Sequence, residues 1–145
     1  MAGAMILALD VGGTKTNVAL FPPLGRGRVG AASAFESYRS GEFPSLEAML
    51  DRFAAAHGRG IEAASVGFAG AVAEGRGVGT NIPWVADEGA IARHLGLPST
   101  RVHVMNDLVA TGYGIAALSP EDLEPLLEGR ADPDGNAAIV AAGTG

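Results

Sequence analysis

Met5-Ile-Leu-Ala-Leu-Asp10-Val-Gly-Gly-Thr-Lys15-Thr-Asn-Val-Ala-Leu-Phe21 is the stretch that decides the fold. Residues Met5 to Asp10 form a short apolar run that ends in a carboxylate, the pattern of a strand buried on both faces. Gly12-Gly13-Thr14-Lys15-Thr16 is a tight turn, and Asn17 to Phe21 is a second apolar run closed by Pro22-Pro23. Two short runs joined by a glycine turn predict a hairpin. Arg28 to Tyr38 supplies a third strand, so the chain opens as an antiparallel β-meander with no helix after its first glycine turn.

The period then changes. Leu46, Met49, Leu50, Phe53 and His57 line one face of a helix, with Ser45 behind Pro44 as its N-cap and Gly58 as its stop. Ala64 to Ala69 reads as another buried strand, and Glu74 to Gly79 as a hairpin tip. Asp87 caps a helix that carries Ile91 and Leu95 and closes at Gly96. Val102 to Met105 is a strand, Asn106-Asp107 opens a helix through about Leu118, and Ser119-Pro120-Glu121-Asp122 opens another. Ala137 to Ala142 is a last strand, running into Gly143-Thr144-Gly145. The expected fold class is α/β, a mixed sheet with flanking helices.

Composition narrows the function. The chain has 145 residues, one domain's worth, and 48% of them are apolar, enough for a real core. Its net charge of −6 argues against nucleic acid or an anionic membrane as partner. It has no cysteine, so disulfides, thiolate nucleophiles and Cys-type zinc sites are excluded. Ala4 to Leu9 is too short and lacks the basic flank of a signal peptide, so a cytoplasmic location is expected.

Four clusters could carry chemistry. At Asp10 to Lys15, consecutive glycines let backbone N–H groups approach an anion closely, and Thr14 adds a hydroxyl. Asp10 at the strand end is placed to hold a hydrated Mg²⁺. The spacing fits neither a Walker loop nor a dinucleotide turn, and a plain glycine hairpin would show the same residues. Lys15, the chain's one lysine, stands beside this turn. The second cluster is Asn106-Asp107, between a buried strand and a helix. There an aspartate can take a proton from a hydroxyl that the asparagine orients, but both residues are also preferred helix caps. Third, Thr80-Asn81-Ile82-Pro83-Trp84 places a lone tryptophan in a turn, where it packs the loop while Thr80 or Asn81 can reach a polar ligand. Fourth, Gly143-Thr144-Gly145 repeats the glycine–threonine turn after an apolar run, and two such turns can close on a polyphosphate from two sides. His57, His94 and His103 show no metal-binding spacing.

In order, Leu9-Asp10-Val-Gly12-Gly13-Thr14-Lys15-Thr16, Pro44-Ser-Leu-Glu-Ala48, Thr80-Asn81-Ile-Pro-Trp84, Asn106-Asp107 and Ala142-Gly143-Thr144-Gly145 resemble the bacterial glucokinase family over essentially the whole chain. The resemblance implies an actin-like, ribonuclease H-like ATPase lobe and ATP-dependent phosphorylation of glucose at the 6-hydroxyl. It implies that Asp10, Gly12, Gly13, Thr14 and Lys15 form the first phosphate motif, and that Gly143, Thr144 and Gly145 begin the second. By the same resemblance Asp107 is the catalytic base and Asn106 binds sugar; Asn106, Asp107 and Asn81 are thus the expected substrate-binding residues, with Asp10 expected to meet Mg²⁺ through water. Family members are about twice this length, so residues 1–145 are expected to be the N-terminal small lobe, inactive alone, of a kinase whose C-terminal lobe is absent from this chain. The remaining sugar-site and adenosine-site residues would follow Gly145, and a homodimer is favoured. Lys15-Thr16 is shared with a related repressor-and-kinase sugar group, so N-acetylglucosamine or mannose stands as an alternative substrate. A non-catalytic sugar-sensing module is a further alternative.

Overall fold

The computed structural model describes residues 3–25, 28–58, 60–79, 81–82, 84–130, 132 and 134–141. β1 (Met5–Val11) turns back through residues 12–14 into antiparallel β2 (Lys15–Phe21). β3 (Pro23–Gly25) and β4 (Arg28–Val29) make a small ribbon, and β5 (Ala34–Arg39) pairs antiparallel with β2. The single strand expected over Arg28–Tyr38 is therefore two. The chain breaks step between them because Gly30 and Ser33 donate their N–H groups to Pro22 O and Leu20 O, both at 2.8 Å.

α1 (Leu46–His57) buries Leu46, Met49, Leu50 and Phe53, four of the five positions on its expected face. Ser45 Oγ accepts the N–H of Ala48 at 3.2 Å, as an N-cap should. Ser45→Ala is expected to cost about 1 kcal/mol, measured as a shift in urea midpoint at unchanged slope. β6 (Ile61–Phe68) then runs parallel to β1, and β7 (Ala71–Ala73), β8 (Arg76–Val78) and β9 (Val85–Asp87) form a small antiparallel sheet. Asp87 caps α2 (Glu88–Leu95) by accepting the Ala90 N–H at 2.8 Å, and Gly96 ends it in the left-handed region. β10 (Val102–Asn106) pairs parallel with β6 and leads without a loop into α3 (Asp107–Ile115).

The main sheet has the order β10-β6-β1-β2-β5. Alternation sends Leu7, Leu9, Val11, Val18, Leu20, Val66, Phe68, Val102 and Val104 into one core shared with the buried residues of α1 and α2. α3 lies against the other face at β6. A Cβ on Gly67 would stand 3.2 Å from Ala110 Cβ and 3.7 Å from Asp107 Cα, so that glycine lets the helix sit close. Among the described residues no helix is long and apolar enough to cross a membrane.

Two expected elements near the C-terminus differ. The helix at Ser119–Asp122 is a single 3₁₀ turn, Pro120–Asp122. The Asp122 carboxylate accepts the N–H and the hydroxyl of Ser119 at 2.8 Å each, which holds its pKa below the ordinary carboxylate value. Beyond it Leu123, Leu126 and Leu127 are all exposed, so among the described residues no surface covers the apolar face that a longer helix would have to bury. Residues 137–141 of the expected last strand belong to no strand, and Val140 is exposed; Ala142 lies outside the described residues. An apolar run needs a free sheet edge to become a strand. On the outer edge of β10 the Glu88 carboxylate already accepts the Val104 N–H, at 2.9 Å.

Candidate active site

β1, β6 and β10 are parallel and end level with one another. Val11 pairs with Phe68, and Phe68 with Asn106, so three strand ends form one row. The glycine turn follows Val11, Ala69-Gly70 follows Phe68, and Asp107 follows Asn106. Ala69 N–H donates to Val11 O at 2.9 Å and carries the pairing one residue past the strand. With neighbouring strands about 4.8 Å apart, the glycine turn and Asp107 stand about 10 Å from each other along one sheet edge. That is where ligands gather in open α/β sheets.

Asp10 lies on the face opposite the shared core. Asp10 pairs with Asn17 and Asn17 with Ser37, and the three make a polar ladder. Ser37 Oγ donates to Asn17 Oδ1 at 2.9 Å, and Asn17 Nδ2 donates to Asp10 Oδ2 at 3.1 Å. Asn17 fixes one carboxylate oxygen and leaves the other for a ligand. The turn itself cannot carry larger residues. A Cβ on Gly12 would stand 2.8 Å from the Lys15 carbonyl oxygen, and one on Gly13 would stand 3.1 Å from Asn81 Cβ. Asn81, from a different part of the chain, therefore sits against the first turn.

Lys15 pairs directly with Arg39 across β2 and β5. Like charges placed opposite each other disfavour the pairing, and an anion between them removes that cost. Both side chains fall on the same face as Asp10 by alternation. A single carboxylate with a glycine cradle and two cations matches a hydrated Mg²⁺ on a polyphosphate. Among the described residues no three His, Asp or Glu side chains lie together as a metal cage.

At the far end of the row, Asn106 is the N-cap of α3. Its Oδ1 accepts the Leu108 N–H at 2.9 Å and its Nδ2 donates to Gly70 O at 3.0 Å. One lone pair and one N–H of that amide stay free for a ligand. Asp107 is the first residue inside the helix, with Oδ1 on the Leu108 N–H at 2.9 Å and Oδ2 unengaged among the described residues. Both residues thus hold the Leu108 N–H, Asn106 from the N-cap position and Asp107 from inside the helix. Trp84 is a packing residue: it is buried, and its Nε1–H donates to Phe43 O at 3.0 Å.

The structure brings Asp10, Gly12, Gly13, Lys15, Asn81, Asn106 and Asp107 to one edge. Thr14 is part of the same turn. Thr80, Gly143, Thr144 and Gly145 lie outside the described residues. The histidines pair with carboxylates away from this edge, His57 with Glu36 at 3.1 Å and His94 with Asp51 at 3.0 Å. Sequence reasoning missed Asn17, Ser37, Arg39 and Gly67. The hairpin register would have found Asn17, since a turn at Gly12–Thr14 sets it opposite Asp10.

The mixed sheet and its flanking helices make an α/β fold of the actin-like type. The chain superposes on the crystal structure of a glucokinase from an Antarctic psychrotroph with a TM-score of 0.69, at 21% identity over 90% of this chain and 40% of that one. Residues 7–145 match the family model for glucokinase, and the chain belongs to that family. It is 34% identical to the glucokinase of Nostoc punctiforme over 143 residues, which is 97% of this chain and 41% of that protein. It is 37% identical to the glucokinase of Synechocystis over 99% of this chain and 42% of that protein. A family glucokinase of the ROK type from Streptomyces griseus, crystallised with glucose and AMPPNP, aligns over 76% of this chain and 35% of that one, at 26% identity and a TM-score of 0.53. The chain spans about two fifths of the length of the curated relatives it matches.

Proposed function

We propose that residues 1–145 are the N-terminal lobe of a two-lobed kinase that transfers a phosphoryl group from ATP to the 6-hydroxyl of glucose. The observation that carries this reading is the pairing of the Asp10 glycine turn with Asp107 on one sheet edge, about 10 Å apart by strand spacing. That separation leaves room for a phosphate chain at one end and a sugar hydroxyl at the other. The two-lobe part is supported by α3, which is apolar along most of its length yet has no buried residue. An apolar helix calls for cover on more than one side. Leu108, Val109, Tyr113 and Ile115 are all exposed on it.

In this reading Gly13 and Thr14 offer N–H donors to phosphate oxygens, and Lys15 offers charge. Asp10 would hold a hydrated Mg²⁺, which when bound would supply positive charge against the phosphates. Asp107 accepts the proton of the attacking sugar hydroxyl, while the free half of the Asn106 amide orients it. Asn81, against Gly13, stands where it can meet the sugar or the turn. Little covalent work is asked of the protein; positioning and charge do most of it.

The test is an ADP-release assay with glucose and Mg-ATP. The 145-residue chain alone is expected to show no appreciable turnover, and a protein of the relatives' length that begins with it is expected to turn over. A panel with N-acetylglucosamine and mannose then fixes the sugar. Glucose binding by calorimetry without turnover in the longer protein would replace the kinase by a sugar-sensing module.

A further inference from the structure

Thr16 and Ser40 are the two buried polar side chains among the described residues, set in an otherwise apolar core. Ser40 follows β5 and opens a short 3₁₀ turn, 26 residues from the phosphate turn's Thr14 in sequence yet in direct contact with that turn. Its Oγ donates to Gly12 O at 2.7 Å, and its N–H donates to Thr14 O at 3.1 Å. Thr16 Oγ1 lies 2.9 Å from Ser40 Oγ. A hydroxyl has one proton to give. Ser40 spends its own on Gly12 O, so the Thr16 hydroxyl donates to Ser40, and a two-step relay ends on the Gly12 carbonyl.

We infer that Ser40 is a positioning residue for the phosphate turn, acting through the Gly12 carbonyl; the inference rests on the proposed reading of that turn as a phosphate site. A trans peptide is planar, with its C=O and N–H pointing in opposite directions, and no cis bond occurs among the described residues. Pinning Gly12 O onto a buried hydroxyl therefore aims the Gly13 N–H away from the core. Gly12's own N–H is engaged with Lys15 O at 3.0 Å, so the outward Gly13 N–H is the donor that this brace prepares. An alanine at position 40 would fill the core nearly as well. What the hydroxyl adds is the orientation of one peptide plane. Donors fixed before binding cost no ordering when the anion arrives.

The 145-residue chain supports the test by NMR, with magnesium tripolyphosphate as the probe and the Gly13 amide as the reporter. Ser40→Ala is expected to weaken tripolyphosphate binding about tenfold and to speed exchange of the Gly12 amide by a similar factor. Thr16→Val loses a buried hydrogen bond too but keeps Ser40 on Gly12 O, so it should bind within about twofold of the parent. Ser40→Thr, which keeps the hydroxyl, should restore binding. If Ser40→Ala proves too unstable, the Thr16→Val/Ser40→Ala pair removes both hydroxyls without leaving one unpaired and is expected to bind as weakly. Equal weakening by Thr16→Val and Ser40→Ala would reduce the effect to stability and overturn the inference. So would a Ser40→Ala chain that binds like the parent. A parent chain whose Gly13 amide does not respond overturns the phosphate reading as well.

Discussion

Asp107→Asn, made in a chain of the relatives' length that begins with these 145 residues, is expected to slow glucose phosphorylation by about 10²–10⁴-fold, the usual effect of losing a general base. The structure makes this a clean substitution. The N-cap of α3 is Asn106, whose side chain accepts the Leu108 N–H and anchors to Gly70 O. Asp107 comes one residue later, so replacing it leaves the cap intact. The new amide oxygen can keep the bond to the Leu108 N–H, and what is lost is a favourable charge at a helix N-terminus, about 0.3–1 kcal/mol. A melting temperature close to the parent's, together with the large rate loss, assigns the carboxylate to chemistry. A rate within tenfold of the parent's would leave Asp107 a helix residue and remove the base from the proposed mechanism. The neighbouring change Asn106→Ala should lower both stability and rate, because it removes the cap at about 1 kcal/mol and with it the amide that orients the hydroxyl.

Which of these neighbours caps α3 could not be read in the sequence, because Asn and Asp are interchangeable as caps. Which of the two sits outside the helix depends on where β10 stops, and that is set by its pairing with Phe68. The meander was legible, since two apolar runs around Gly12–Thr14 admit little else. So was α1, whose face and cap are both local. Arg28–Tyr38 was misjudged as one strand because its break is made by long-range bonds to Leu20 and Pro22. The run at Ala137–Ala142 has strand composition, but composition does not supply an edge. Among the candidate site residues, those carried by local motifs stand out in the sequence. Asn17, Ser37 and Arg39 were missed because they reach the site by cross-strand register, which a linear motif does not display.

Phe68→Ala should be strongly destabilising, costing about 3–5 kcal/mol. Against a total of roughly 5–15 kcal/mol for a domain, that is a large share. Phe68 is fully buried and occupies the middle of the row that joins Val11 to Asn106. Its ring is covered by glycines. A Cβ on Gly70, Gly77 or Gly79 would stand 3.1, 2.8 or 3.2 Å from a ring atom. These positions have no side chains that could swing in to fill the vacated space, so the cavity stays open and the cost falls in the upper part of the range. The melting temperature should drop by about 10 °C or more. The same geometry yields a sign reversal. Gly77→Ala in the parent pushes a methyl into the ring and destabilises, whereas in the Phe68→Ala background that methyl enters the cavity and recovers part of the loss. A double-mutant cycle by urea unfolding measures the coupling, expected to be at least 0.5 kcal/mol in favour of the pair. Additive effects would mean that the hairpin does not rest on Phe68 and that the strand ends are held level by the sheet alone.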